Sequence, residues 1–254
     1  SILASLEIKV NNVTESGLGL TIPSYRTDVQ REVDVIEEIL RVYGYNKIAF
    51  GTKFIASVAQ TSKRENHQLQ NIIGNQLASQ GFYEILTNSL VSKQYNSFFA
   101  SENETQEVAM LNPLSGDLSV MRASMLSSGL ETVMYNLNRR NRNLKLFEFG
   151  KSYSHQADTF EENSHLTIWV VGNRNENHWH QTATPTDFFY LKGIVNAVLE
   201  RLGITGCSEK HSGQTYFSDG VSMVKNKQIL VELGQVSSNR LKEFDIKGEV
   251  FYAD

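Results

Sequence analysis

The residues best placed to do chemistry lie in YRTDVQREVDVIEEILRVYGY, residues 25 to 45, where Asp28, Asp34, Glu37 and Glu38 put four carboxylates within eleven positions. At roughly 100° per residue, Asp34, Glu37 and Glu38 stand at i, i+3 and i+4 on one helix face. Asp28 reaches them only from the helix start. Oxygen ligands without His or Cys select magnesium or calcium over zinc, and magnesium keeps most of its waters while taking one or two carboxylates. The opposing reading is that acids early in a helix complement its positive dipole end and the others face water. Spacing alone leaves both open.

Other candidates are weaker. His178 and His180 flank Trp179 and would share a strand face, but two imidazoles without a third ligand make no zinc site. Arg139, Arg140, Arg142 and Lys145 could touch phosphate or complement a helix C-terminus. The glycines of GLGL, Gly17 and Gly19, lack the strand-glycine-helix context of a nucleotide loop. No nucleophile has a persuasive base.

The elements that must position these residues follow from periodicity. LGLTIPSY alternates Leu18, Leu20 and Ile22 as a half-buried strand does, until Pro23 stops it. Thr27 and Gln30 fit a capping box, Val29, Val33, Ile36 and Leu40 recur at helical spacing, and Gly44 stands where a left-handed cap belongs. A helix over 28–43 is expected. Residues 47–63 carry no helical period, so the domain organisation read here is a small module at 1–50, a linker at 51–63 and a larger domain at 64–254. In that domain Leu69, Ile72, Ile73 and Leu77 mark a helix closed by Gly81, with a strand through Ile85 and Leu86. Helices follow at 123–138 and 187–203, and strands at LKLFEFG, LTIWVVG, YFSDGVSMV, QILVELG and EVFYA. This order predicts an α+β fold on a mainly antiparallel sheet.

Composition sets the outer limits. A chain of 254 residues can bury a sizeable core, and 24 Lys+Arg against 28 Asp+Glu give a net charge of -4, which argues against a broad nucleic-acid surface. Cys207 is the only cysteine, and no apolar run of about 18 residues or signal segment is present, so a reducing, cytoplasmic setting without a membrane is expected. SILASLEIKV opens inside an amphipathic pattern and EVFYAD closes in a strand-like one, as a piece of a longer protein would.

Several long motifs in order resemble one family. P-S-Y-R-x-D, D-x-x-E-E and R-x-Y-G-Y within residues 23–45, then N-P-x-S, M-R-x-S-x-L and F-E-x-G, then D-F-x-x-x-K-G, are similar to the β subunit of bacterial phenylalanyl-tRNA synthetase across nearly the whole chain. The resemblance implies a class II aminoacyl-tRNA synthetase-like antiparallel sheet flanked by helices, preceded by a partial helix-and-wing module. It also implies a tetramer of two α and two β chains in which the α subunit uses ATP to attach phenylalanine to tRNA(Phe). The β domain is then a non-catalytic counterpart in this ligase of protein biosynthesis. By resemblance, Asp28, Asp34, Glu37 and Glu38 would hold Mg2+ shared with the α subunit. The chain departs from catalytic class II sequences at GKSYSHQ, where Ser154 replaces an ATP-binding arginine, and G-x-G-x-x-R does not occur. A triphosphate would lack its neutralising cations there. The alternatives are an autonomous class II-like ligase, against which the missing arginines argue, and a nucleic-acid-binding module, against which the acidic helix argues.

Overall fold

The computed structural model describes residues 1–49, 51, 65–96, 107–156 and 159–254. The chain divides into two compact units, Ser1–Ser62 and Lys63–Asp254. The linker expected at 51–63 lies outside the described residues apart from Gly51.

In the first unit, α1 (Ile2–Ser5) precedes a hairpin of β1 (Lys9–Thr14) and β2 (Gly17–Thr21), followed by α2 (Glu32–Tyr43). The strands are antiparallel, with Lys9 opposite Thr21 and Thr14 opposite Gly17. Ile8, Val29 and Val35 form the centre of a small core that Leu3, Leu6, Leu20, Ile22 and Ile39 complete. Leu18, near the hairpin turn, extends past this core and is exposed.

Helix α2 starts at Glu32 and not at 28. The Thr27–Gln30 capping box does not form, because the Gln30 amide side chain donates to the Thr27 carbonyl (2.8 Å). Val29 is buried while still in the preceding loop, which holds 27–30 out of the helix. Asp34 supplies the cap instead, accepting from the backbone N–H of Gln30 (3.0 Å) and Arg31 (2.8 Å). The Arg31 amide is one a helix start leaves without a partner, and the Gln30 amide lies just before it. The inward face is Val35 and Ile39, whereas Val33 and Ile36, expected inside, are exposed. Gly44 ends the helix at φ 98°, ψ 116°, a positive φ that glycine tolerates, and its N–H donates to the Leu40 carbonyl (2.8 Å).

The second unit begins with α3 (Asn66–Ser79), β3 (Tyr83–Glu84), β4 (Leu90–Val91) and α4 (Lys93–Asn96). It continues through β5 (Val120–Met121), α5 (Met125–Asn138), β6 (Leu144–Gln156), β7 (Thr159–Val171) and α6 (Phe188–Arg201). Strands β8 (Ser208–His211), β9 (Phe217–Lys225) and β10 (Gln228–Val236), helix α7 (Ser238–Glu243) and β11 (Val250–Ala253) complete it. Seven strands form one sheet in the order β3-β6-β7-β11-β10-β9-β8.

The sheet is mixed, which corrects the antiparallel expectation. Tyr83 and Glu84 pair in parallel with Leu146 and Phe147, whereas the other neighbours are antiparallel. The connection from β3 to β6 contains α5, and a helical crossover returns the chain in the same direction, as parallel pairing requires. β3 is also shorter than expected. After Ile85 donates to the Phe147 carbonyl (2.9 Å) the backbone leaves the sheet, and Leu86 is 92% exposed.

Strand alternation loads both sheet faces. Leu144, Leu146, Trp169, Val171 and Tyr252 meet Met125, Leu126, Leu130 and Val133 of α5. Phe147, Ile168, Val170, Leu233 and Phe251 meet Ile73 and Leu77 of α3 and Leu191, Val195 and Val198 of α6. Of the α3 stripe, Leu69 and Ile72 are only half-buried. Ser124 caps α5 by accepting from Leu126 N–H (3.2 Å), and Asp187 caps α6 by accepting from Tyr190 N–H (2.7 Å).

Gly129 lets α5 lie flat on the Trp169 indole, since a Cβ there would come within 2.1 Å of two ring carbons. Gly129→Ala should therefore lower stability by about 1–3 kcal/mol through overpacking, despite alanine's better helix propensity. Urea unfolding of the chain checks this. An unchanged midpoint would mean the indole does not occupy that space.

Candidate functional site

The structure brings two of the four expected metal-binding carboxylates together, and a guanidinium joins them. Arg26 donates through Nε to Asp28 Oδ1 (3.1 Å) and through Nη2 to Asp28 Oδ2 (2.8 Å). The same Nη2 lies 3.0 Å from Glu38 Oε1, and Arg41 Nη2 donates to Glu38 Oε2 (2.5 Å). Asp34 is engaged at the helix start and pairs with Arg31 Nη2 (3.2 Å). Glu37 is exposed and, among the described residues, has no hydrogen-bond or ion-pair partner. The Arg26 guanidinium holds the Asp28 and Glu38 carboxyls below the usual carboxylate range. The Arg31 and Gln30 amides do the same for Asp34.

These residues do not fit a metal as they stand. Arg26 and Arg41 already neutralise Asp28 and Glu38, so a divalent ion there would meet guanidinium charge, and no group of three or more potential ligands forms among the described residues. His178 and His180 stack on an exposed turn, with ring centres 6.1 Å apart beside a solvent-facing Trp179, and gain no third ligand among the described residues. Arg139 donates to the Tyr135 carbonyl (3.1 Å) in the last turn of α5, so it complements that helix end.

A second polar site lies on the sheet face that α5 covers, and the sequence reading did not find it. Glu148 on β6 is fully buried, and Arg122, just before α5, is 2% exposed. Arg122 donates through Nε to the Lys151 carbonyl (2.8 Å) and through Nη1 to Thr87 Oγ1 (2.6 Å), with Nη1 3.4 Å from Glu148 Oε1. Thr87 in turn donates from its hydroxyl to Glu148 Oε2 (2.8 Å) and from its backbone N–H to Oε1 (3.1 Å). A buried carboxylate is tolerable only with such partners. The available signal was charge in an apolar setting: Glu148 lies between Phe147 and Phe149, and Arg122 follows Val120 and Met121.

Further along the same face, Ser152 Oγ is 2.7 Å from His165 Nε2, and His165 Nδ1 is 2.7 Å from Asp254 Oδ1. A serine, histidine and aspartate in series are the parts of a nucleophilic relay. Here Ser152 is buried within β6, and the next amide, Tyr153 N–H, is committed to the Arg122 carbonyl (2.9 Å). That removes the neighbouring donor an oxyanion would use. The series acts as a polar strap across β6, β7 and the end of β11.

Comparison with known proteins agrees with this architecture. The family model "Phenylalanyl tRNA synthetase beta chain CLM domain" matches residues 52–254, and "tRNA synthetase B5 domain" matches residues 1–45. The chain belongs to the phenylalanyl-tRNA synthetase β-chain family. It is similar to the phenylalanine-tRNA ligase beta subunit of Bacteroides thetaiotaomicron, 39% identical over 267 residues that cover 100% of this chain and 33% of that one. The corresponding subunit of Porphyromonas gingivalis is 37% identical over 267 residues, with the same coverage. The chain thus spans about a third of the length of these relatives. A pyrrolysyl-tRNA synthetase structure from Desulfitobacterium hafniense superposes with a TM-score of 0.55 over 74% of this chain and 64% of its own. At 20% identity that likeness establishes the class II synthetase fold alone. Among the described residues no helix is long and apolar enough to cross a membrane.

Two outcomes test this geometry. Arg122→Met leaves Glu148 buried without its countercharge and should cost about 3–5 kcal/mol, visible as a lower melting temperature; a melt like the wild type's would show the pair to be dispensable. For Asp28, Asp34 and Glu38 the folded pKa values are depressed, so the stability they add is complete above the ordinary carboxylate pKa of about 4 and is lost as pH falls through the folded values. Hydrogen exchange in α2 should be flat above about pH 5, after correction for intrinsic rates, and loosen below about pH 4. An α2 equally protected down to about pH 2 would contradict these pairings.

Proposed function

We propose that the chain is the non-catalytic core of a phenylalanine-tRNA ligase β subunit, a scaffold for the α subunit that uses ATP to attach phenylalanine to tRNA(Phe). The observation that carries this reading is the sheet face. Where a catalytic class II domain would present free cations to a triphosphate, Arg122 is spent on Thr87, Lys151 and Glu148, and Ser154 stands at the arginine position of the G-x-x-Y segment. Phosphoryl charge developing there would find the Arg122 guanidinium already committed, and electrostatic stabilisation by such groups supplies much of this kind of catalysis.

The reading assigns the assembly two α and two β chains in the cytoplasm, with tRNA(Phe) bound by the whole. The α subunit has a fitting surface at the β3 edge of the sheet, where Tyr83 is 73% exposed and the following Leu86 92% exposed. An open apolar edge of this kind suits a permanent partner. ATP chemistry belongs to the α subunit.

Phenylalanine-dependent ATP–pyrophosphate exchange tests the reading. The chain alone should give none, while the matching α subunit should co-purify with it. Exchange by the pure chain would establish an autonomous ligase and overturn the scaffold role.

A further inference from the structure

The α2 carboxylates already have a cation. Arg26 makes a two-pronged contact with Asp28 and reaches Glu38 with the same Nη2, so one guanidinium bridges the loop before α2 to the second turn of the helix. Arg26 and Glu38 are the more shielded members, with side chains 21% and 15% exposed, while Asp28 is 63% exposed. We propose that Arg26 is the resident cation of this cluster, that the chain binds no divalent ion at Asp28, Asp34, Glu37 and Glu38 while Arg26 is present, and that removing Arg26 alone creates a divalent site on Asp28 and Glu38.

The donor chemistry supports each part. Magnesium needs oxygens at about 2.0–2.1 Å in an octahedral shell. Each oxygen of Asp28 and Glu38 accepts one arginine contact, so an ion could use only their remaining lone pairs and would sit beside the Arg26 guanidinium, whose positive charge repels it. Asp34 cannot help, because Oδ2 caps two backbone amides and Oδ1 faces Arg31. With Arg26 shortened to an apolar side chain, Asp28 loses its charge partner and Glu38 keeps only Arg41. Two carboxylates with waters filling the remaining positions are the arrangement magnesium usually accepts.

The test uses Mn2+ as a paramagnetic stand-in for magnesium, with free ion counted by electron paramagnetic resonance and folding followed by circular dichroism. The whole chain is compared with Arg26→Met, Arg26→Lys, Glu38→Gln and the double variant Arg26→Met/Glu38→Gln. Wild type and Arg26→Lys should bind no more Mn2+ than the double variant, whereas Arg26→Met should gain one site. Two results overturn the proposal: wild-type binding that Glu38→Gln abolishes, or a folded Arg26→Met that gains no site. Should Arg26→Met not fold, the wild-type and Glu38→Gln pair still tests the first part of the proposal, since Mn2+ bound by the wild type and lost in Glu38→Gln overturns it. Because the assay needs neither the α subunit nor aminoacylation, its failure is distinct from failure of the scaffold reading.

Discussion

The second unit depends on the burial of Glu148 with Arg122. One carboxylate in the middle of β6 and one guanidinium before α5 tie together three parts of the chain that are distant in sequence: Thr87 after β3, the start of α5, and β6 at Glu148 and Lys151. Burying either charge alone would be costly, so the pair forces these segments into one arrangement. The Ser152–His165–Asp254 series extends the tie across β7 to β11. Gly150 belongs to the same design, since a Cβ there would collide with Met125 and Arg122.

The same physical device recurs in the first unit, nearer solvent. Arg26 and Arg41 neutralise Asp28 and Glu38, and Asp34 is drawn to the amides at the start of α2. In both units, Arg122 with Glu148 and Arg26 with Asp28 and Glu38 are committed to the protein's own groups. The fold is that of a class II synthetase, but its polar residues are arranged to hold it together. Function is a property of such sites and not of the fold that carries them, which is why the superposition on a catalytic synthetase does not transfer its chemistry.

Much of the fold was legible because long periodic segments and their caps agree. The expected helix at 187–203 is α6 at Phe188–Arg201, with Asp187 as its N-cap, and 123–138 is α5 at Met125–Asn138. The start of α2 was misread because Thr27 and Gln30 match a capping pattern locally, while burial of Val29 fixes those residues in a loop. Its buried stripe was misread because α2 is apolar on two sides, and only tertiary packing selects Val35 and Ile39. A two-residue parallel strand such as β3 leaves no periodic trace. At the candidate site the carboxylates were visible but their partners were not, since spacing along a helix says nothing about an arginine in the preceding loop. Arg122 and Glu148 lay inside the very motifs that carry the family resemblance, yet their pairing is a long-range contact.

The central claim is that the sheet face is closed by its own residues. The Nε–H of Arg122, bonded to the Lys151 carbonyl at 2.8 Å, reports on it directly. In a nitrogen-15 NMR titration of the chain with ATP and Mg2+, this resonance should be slow to exchange with solvent and unmoved at saturating nucleotide. A shift of that resonance that saturates with ATP, together with faster exchange, would show Arg122 leaving Glu148 for phosphate and would contradict the account.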